Sequence, residues 1–342
     1  MVTIYDIAKN AKVSPMTVSR VINNSGNIRL TTREKVEKAI KELGYVPNSA
    51  ARSLISKRTK TLGLILSDIS NPFFSKVARG AEDKAVEMGY SVFMTNTDED
   101  FEKEKNYINR MLSSRVDGVI LSPTNNNSIK HIQKLNQHNI PVVLFDRTID
   151  GFVGDHVLGD SYKGSRDLVK HLIDIGHEKI ALVNGPHHLS TSRERQRAYV
   201  ETLKLNDLSI HEHYISELDF RSVQSEDAHQ ILMKLMSLDK KKQPTAIFAA
   251  NNFIAISIIR SLREMNINVP EDVSIVCFDE IEHVHFDPFF TVASQPALEI
   301  GRISAQYLIE RLENDNLDEE RIVILPPEIH IRKSSKPLID KE

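Results

Sequence analysis

From Leu62 onward the sequence alternates short apolar runs with stretches of helical periodicity, and this alternation restricts the fold more than any other feature. Apolar runs fall at LGLIL (62–66), SVFMT (91–95), DGVIL (117–121) and IPVVLF (140–145). A second set follows at KIALVN (179–184), YISEL (214–218), TAIFA (245–249) and VSIVCF (273–278). Strands joined through helices pair in parallel, with helices covering both faces of the sheet and ligands meeting the carboxyl ends of the strands. The two sets therefore predict two doubly wound α/β lobes with a cleft between them. The last stretch, from about Val292, is expected to cross back and complete both lobes.

The first 60 residues are different in kind. They hold 12 Lys and Arg against 4 Asp and Glu, whereas the remaining 282 hold 32 against 43, so a net charge of -3 conceals a basic head on an acidic body. Such an asymmetry points to a polyanionic partner for the head alone. Thr3 and Asp6 form a capping-box start for a helix over about 4–11. Ser14 is an N-cap and Pro15 a first-turn proline for a second helix, running to about Ile22. Thr31 and Glu34 predict a second capping box, for a helix that ends at Leu43 before Gly44.

Two helices joined by so short a turn have the layout of a helix-turn-helix. With Val18, Val21 and Ile22 inward, Met16 and Arg20 project together from the opposite face. In a major groove Arg20 suits a guanine edge and Met16 an apolar base contact. Tyr5, Ser14, Thr17 and Asn23 suit phosphate oxygens. Residues 48–58, NSAARSLISKR, place Ala50, Ala51, Leu54 and Ile55 on one helical face, but so short a segment does not hold a helix by itself in water. It reads as a hinge that folds when two copies meet on DNA.

Taken in order, TIYDIAKNAKVSPMTVSRVIN, TREKVEKAIKELGYVPNSAARSLISKRT, LGLILSDISNPFF, GHEKIALVNGP, QPTAIFAANN, NVPEDVSIVCFD and ASQP resemble the LacI/GalR family of bacterial transcription repressors over essentially the whole chain. The resemblance implies a helix-turn-helix domain at 1–47, a hinge at 48–60 and an effector-binding and dimerisation core at 61–342. That core is similar to periplasmic sugar-binding proteins. Its first lobe is expected at about 61–161 and 293–321, and its second at about 162–292 and 322–342. A homodimer on a pseudo-palindromic double-stranded DNA operator is implied, with Pro15, Met16 and Arg20 reading bases. Leu54 stands where the family's hinge leucine pries open a base step, with Asn48, Ala51 and Lys57 beside it in the minor groove. For a small-molecule effector the resemblance implies contacts from Phe73, Phe74, Asp160, Arg195, Phe220, Asn251 and Asp279.

Other classes fit less well. The sequence has no G-x-G-x-x-G fingerprint, P-loop or G-x-S-x-G elbow, so no catalytic residue, cofactor or metal is expected. The lone Cys277 sits inside an apolar strand and excludes an internal disulfide. His211-Glu212-His213 and His283-Val284-His285 are read as chance pairs, while His187-His188 follow Gly185-Pro186 in a loop facing the cleft. No apolar run approaches the roughly 18 residues of a membrane span, and MVTIYDIAKNAKVS lacks a signal peptide's apolar core, so a cytoplasmic location is expected. A protein corepressor is a rival to a small molecule, but Leu298-Glu299, Gln306 and Glu310 stand where the catabolite control protein carries its partner's contacts. The effector is expected to be a sugar, sugar acid or sugar phosphate, with a purine-like ligand as the alternative. Dimerisation is expected through helices near 73–88 and 253–265, the latter exposing Phe253, Ile254, Ile256, Ser257 and Ile259.

Overall fold

The computed structural model describes residues 2–45, 58–219, 227–281, 288–314 and 319–338. The chain divides into two units, residues 1–59 and 60–342.

The first unit holds three helices, α1 (Ile4–Ala11), α2 (Pro15–Ile22) and α3 (Leu30–Leu43). The amide and hydroxyl of Thr3 both donate to the Asp6 carboxylate, at 2.8 and 2.7 Å, and so start α1. Lys12, in the left-handed region at φ 55°, ends it. Ser14 then accepts the Thr17 amide at 3.1 Å, and Pro15 follows where a missing N–H costs nothing. The capping box expected from Thr31 and Glu34 is not what opens α3. The Arg29 carbonyl accepts the amides of Thr32 and Arg33 at 2.9 and 3.0 Å, which closes the first turn at Leu30 and leaves Thr31 inside the helix. Ile7, Val18 and Val36 form the fully buried centre of this small core.

The second unit contains two six-stranded sheets. The first is built from β1 (Thr61–Leu66), β2 (Ser91–Asn96), β3 (Gly118–Leu121), β4 (Val142–Phe145) and β5 (Asp155–Gly159). Helices α4 (Pro72–Glu87), α5 (Phe101–Ser113) and α6 (Ile129–Gln137) link them. The second holds β6 (Ile180–Asn184), β7 (Ile215–Glu217), β8 (Ala246–Ala249), β9 (Ser274–Phe278) and β10 (Thr291–Ser294). Its helices are α7 (Ser161–Asp174), α8 (Ser190–Leu205), α9 (Asp227–Met236) and α10 (Asn252–Glu264). Helix α11 (Ala297–Glu313) and strands β11 (Ile322–Leu325) and β12 (Glu328–His330) complete the chain. The strand orders, β11-β5-β4-β3-β1-β2 and β12-β10-β9-β8-β6-β7, are the same pattern twice. The strands pair in parallel throughout, except that β12 runs antiparallel to β10.

The chain passes between lobes three times, after β5, after β10 and between β11 and β12. The expected limits therefore shift. Thr291–Ser294 stays in the second sheet beside β9, and Ile322–Leu325 joins the first sheet beside β5, so the last crossing falls after 325 and not before 322. Strand β5 is also absent from the expected set, because it opens with Asp155 and His156 and has no apolar run. Asp155 is tolerated at full burial because Arg311 and Arg321 converge on it at 2.6–2.9 Å.

Helix α11 lies against α4 in the first lobe with almost no side chain between them. A Cβ on Gly80 would stand 2.0 Å from the Leu298 carbonyl oxygen, and one on Gly301 would stand 2.0 Å from that of Val77. Among the described residues no helix is long and apolar enough to cross a membrane.

Candidate DNA-reading helix and effector cleft

On α2 the inward positions Val18 and Val21 are buried, and the opposite face is free for a partner. Met16 is 66% exposed and Arg20 is exposed one turn further on. Gly26, at φ 74°, brings the following loop against the Arg20 stem, 3.6 Å from Cδ to an added Cβ. This glycine was not singled out in the sequence. Ser14 and Thr17 hydroxyls sit 2.9 Å apart at the start of α2, and Asn23, just past its end, donates to Ser19 at 3.3 Å. Tyr5, on α1, is 70% exposed, while Pro15 is half-buried. Asn48, Ala51, Leu54 and Lys57, and Phe220 of the effector set, lie outside the described residues.

In the core, β4 and β9 occupy equivalent places in the two sheets, and each ends in Phe-Asp. Asp146 and Asp279 both take the left-handed conformation, at φ 66° and 71°. Their amides bond to equivalent neighbours, Val157 at 3.1 Å and Ala293 at 3.0 Å. The two carboxyl groups are thereby turned into one space between the lobes. Burial pushes Asp146 up to about 6, only partly offset by Arg147 and Arg195. Burial also raises Asp279, against the pull of Arg195 and the Gln295 hydrogen bond.

Arg195 reaches this space from α8. Its guanidinium lies 3.9 Å from the Phe278 ring centre, Nη1 donates to the Ala250 carbonyl at 2.6 Å, and Nη2 is 3.9 Å from Asp279. Burial pulls its pKa below the usual arginine range, and its Nε has no hydrogen-bond partner. Arg147 spends both terminal nitrogens on Glu99, at 2.7 and 2.6 Å, and Nη1 also reaches the Pro123 carbonyl at 3.1 Å. Its Nε stands 3.3 Å from Asp146 without a hydrogen bond. Asn251 caps α10 through the Ile254 amide at 2.8 Å and faces the same space.

The lobes stand closed on one another. Asn252 donates across the cleft to Asn71 at 2.9 Å, and the Thr148 amide donates to Ser190 at the same distance. The space left at the centre is about 30 Å³, room for a water or two but not for a sugar ring. A neighbouring cavity of about 310 Å³ opens between Glu99, Phe101 and Asn125 on one lobe and His188, Leu189 and Asp219 on the other. An effector thus needs the lobes to part or must extend into this second space.

Phe73, Phe74, Arg195, Asn251 and Asp279, which the resemblance implies for the effector, line one space. The two phenylalanines, however, are 6% and 4% exposed and pack edge to face, Phe74 turning further inward onto Phe145. Asp160 caps α7, its Oδ1 accepting the Lys163 amide at 2.7 Å, and does not line the small central space. Asp68, Asn71, Glu99, Asp146, Arg147 and Thr191 line the centre without having been foreseen. Asp146 had a signal, since it follows IPVVLF as Asp279 follows VSIVCF. The expected dimer face also changes, for Ile254 and Ser257 are buried within the chain. Ile256 stays exposed, with Phe253 and Ile259 half-buried.

Residues 3–48 match the family model described as bacterial regulatory proteins, lacI family, and residues 169–335 match a periplasmic binding protein-like domain. The HTH-type transcriptional repressor PurR of Aliivibrio fischeri (strain MJ11) is 34% identical over 337 residues, covering 98% of both chains. The catabolite control protein A of Priestia megaterium is 36% identical over 337 residues, covering 98% of this chain and 99% of that one. Among solved structures, the lac repressor dimer bound to operator and the anti-inducer ONPF superposes with a TM-score of 0.84 at 27% identity. It covers 98% of this chain and 99% of that chain.

Proposed function

The chain belongs to the lacI family of bacterial regulatory proteins and is a DNA-binding transcriptional repressor with an effector-binding core, and we propose that its effector is a neutral, hydroxyl-rich molecule of the sugar class. The observation that carries this reading is the charge state of the cleft centre. Asp146 and Asp279 enter it from the two lobes, while the arginines beside them are already committed to Glu99, a backbone carbonyl and a ring face. Buried carboxyl groups accept ligand hydroxyls well, and the two unpartnered Nε–H groups can each donate to one. A phosphate or carboxylate would meet Asp146 and Asp279, with Arg147 already paired to Glu99 and Arg195 already beside Asp279 at 3.9 Å. That narrows the expectation away from sugar acids and sugar phosphates. A purine needs an open aromatic face, and Phe73 and Phe74 are nearly buried and packed edge to face on one another, which leaves only the half-buried Phe253 among the aromatic rings lining the centre.

Met16 and Arg20 enter the major groove in this reading, with Pro15 at the helix start, and Tyr5, Ser14, Thr17 and Asn23 on phosphates. Leu54, with Asn48, Ala51 and Lys57, opens the central step in the minor groove. Effector binding changes the relation of the first lobes across the dimer and so the spacing of the paired hinges. The protein acts in the cytoplasm and binds without catalysis.

A thermal-shift screen of full-length protein against neutral sugars, sugar acids, sugar phosphates and purines tests the effector class. Stabilisation by a neutral sugar, with release or tightening of a selected operator duplex at the same concentration, supports it. A response confined to phosphorylated sugars or purines rejects it.

A further inference from the structure

The DNA arm enters the core at Lys60, and Lys60 is fastened to three separate parts of the first lobe. Its backbone is left-handed at φ 52°, its amide donates to Asp117 Oδ2 at 2.8 Å, and its carbonyl accepts the Ser91 amide at 2.9 Å. Its ammonium stands 4.1 Å from the centre of the buried Tyr90 ring and 3.1 Å from Glu313 Oε1. Glu313 is the last residue of α11.

Just before the first turn of the same helix stands Gln295. Its Nε2 donates to Asp279 Oδ1 at 2.7 Å, so it holds one of the two cleft acids. The same side chain lies on the backbone of Gly159, where an added Cβ would meet Oε1 at 1.7 Å. Gln295 therefore touches the cleft and spans two of the three crossings between lobes. Between these ends α11 moves with α4 as one body, because Gly80 and Gly301 leave no side chains to slide, and Leu308 fills the space over Gly118, 2.7 Å from an added Cβ.

We infer that α11 is a lever, with Gln295 as its input at the effector cleft and the Lys60–Glu313 contact as its output to the DNA arm. This inference rests on the proposed role of Asp279 in holding effector. A ligand hydroxyl that competes for Asp279 frees Gln295, and α11 then tilts together with α4. A 17-residue helix is about 25 Å long, so a tilt of about 5° shifts the far end by about 2 Å, the scale of known switching displacements. Lys60 transmits that shift, because its backbone and ammonium are both tied to the lobe. Gln295 and Lys60 are positioning residues, since neither touches DNA.

The test is a double-mutant cycle on full-length protein, read as affinity for a duplex selected from a random library by the wild type. Independent sites this far apart add to within about twofold. Gln295→Ala is expected to change operator Kd by about fivefold or more, the low end of allosteric coupling. In a Lys60→Met background the same change is expected to shrink below twofold. The exchange Lys60→Glu with Glu313→Lys is expected to restore it, which a merely structural role for Lys60 would not predict. If Gln295→Ala does not fold, Gln295→Glu takes its place. Additive effects, or no effect of the Gln295 change alone, overturn the inference. Since no effector enters the cycle, a failed sugar screen beside a coupled cycle rejects the sugar reading and leaves the lever standing.

Discussion

Asp146 and Asp279 are the same residue of two repeated lobes, each one step past a buried Phe, each left-handed, and both facing one small space of about 30 Å³. Burial raises both, and the charge of Asp279 adds to it at Asp146, so both stay protonated to higher pH than ordinary carboxyls. For Asp146, raised from 3.8 to about 6, the folded state binds more protons than the unfolded state between those values. Stability therefore falls as pH rises through that window and levels off above it. Asp146→Asn removes the loss. The variant is expected to match the wild type near pH 4 and to be more stable above pH 6, by an amount of order 1–3 kcal/mol. Melting temperature against pH checks this, and a gap that is constant across the range would contradict it.

Arg195 is the cation that both acids face, and its removal has a local cost. Arg195→Met deletes the 2.6 Å bond to Ala250 and leaves Asp279 with the Gln295 hydrogen bond and the more distant charge of Lys76. Breaking a buried charge arrangement from one side costs about 3 kcal/mol. The double variant Arg195→Met with Asp279→Asn is expected to recover at least about half of that loss in urea unfolding. No recovery would mean that Arg195 serves packing on Phe278 and not the acid.

The strand plan is legible because the central parallel strands are continuous buried apolar runs, and the edge strands β2 and β7 carry enough apolar residues to stand out beside them. Strand β5 was hidden because Asp155 is buried only by virtue of Arg311 and Arg321, which come from more than 150 residues away. The same distance hid the crossings, for nothing local separates β11 from β12 except which sheet receives each. At the site, Arg195, Asn251 and Asp279 came from family pattern. Asp160 also stands ahead of a helix, where an aspartate has a backbone amide to cap, and Lys163 supplies it. Asp146 was missed although the chain states it twice, once in each lobe.

On the head, Arg20 is exposed and its stem rests against Gly26, so its loss spares the fold. A bidentate arginine–guanine contact contributes about 1–3 kcal/mol of discrimination. Arg20→Ala is expected to weaken binding to a selected operator about 10- to 100-fold while leaving binding to random duplex within about threefold. Fluorescence anisotropy on both duplexes checks it. Equal losses on both would make Arg20 a phosphate contact.

The approach of α4 and α11 gives the sharpest expectation for stability. A methyl group at Gly80 would lie 2.0 Å from the Leu298 carbonyl oxygen, and one at Gly301 the same distance from that of Val77. Neither neighbour is a flexible side chain, so the helices themselves must separate, which takes Ile300 and Val77 from full burial toward voids. Overpacking of a well-packed core costs about 1–3 kcal/mol, occasionally more, and a clash with backbone belongs at the upper end. Offsetting this, alanine gains up to about 1 kcal/mol over glycine within a helix. Gly80→Ala is therefore expected to lower stability by about 2 kcal/mol net, and Gly301→Ala by a similar amount. The pair together is expected to cost less than their sum, because one separation relieves both clashes. Urea unfolding of the two single variants and the double variant measures this. Strict additivity would show that the helices accommodate each methyl group separately and do not move as one body.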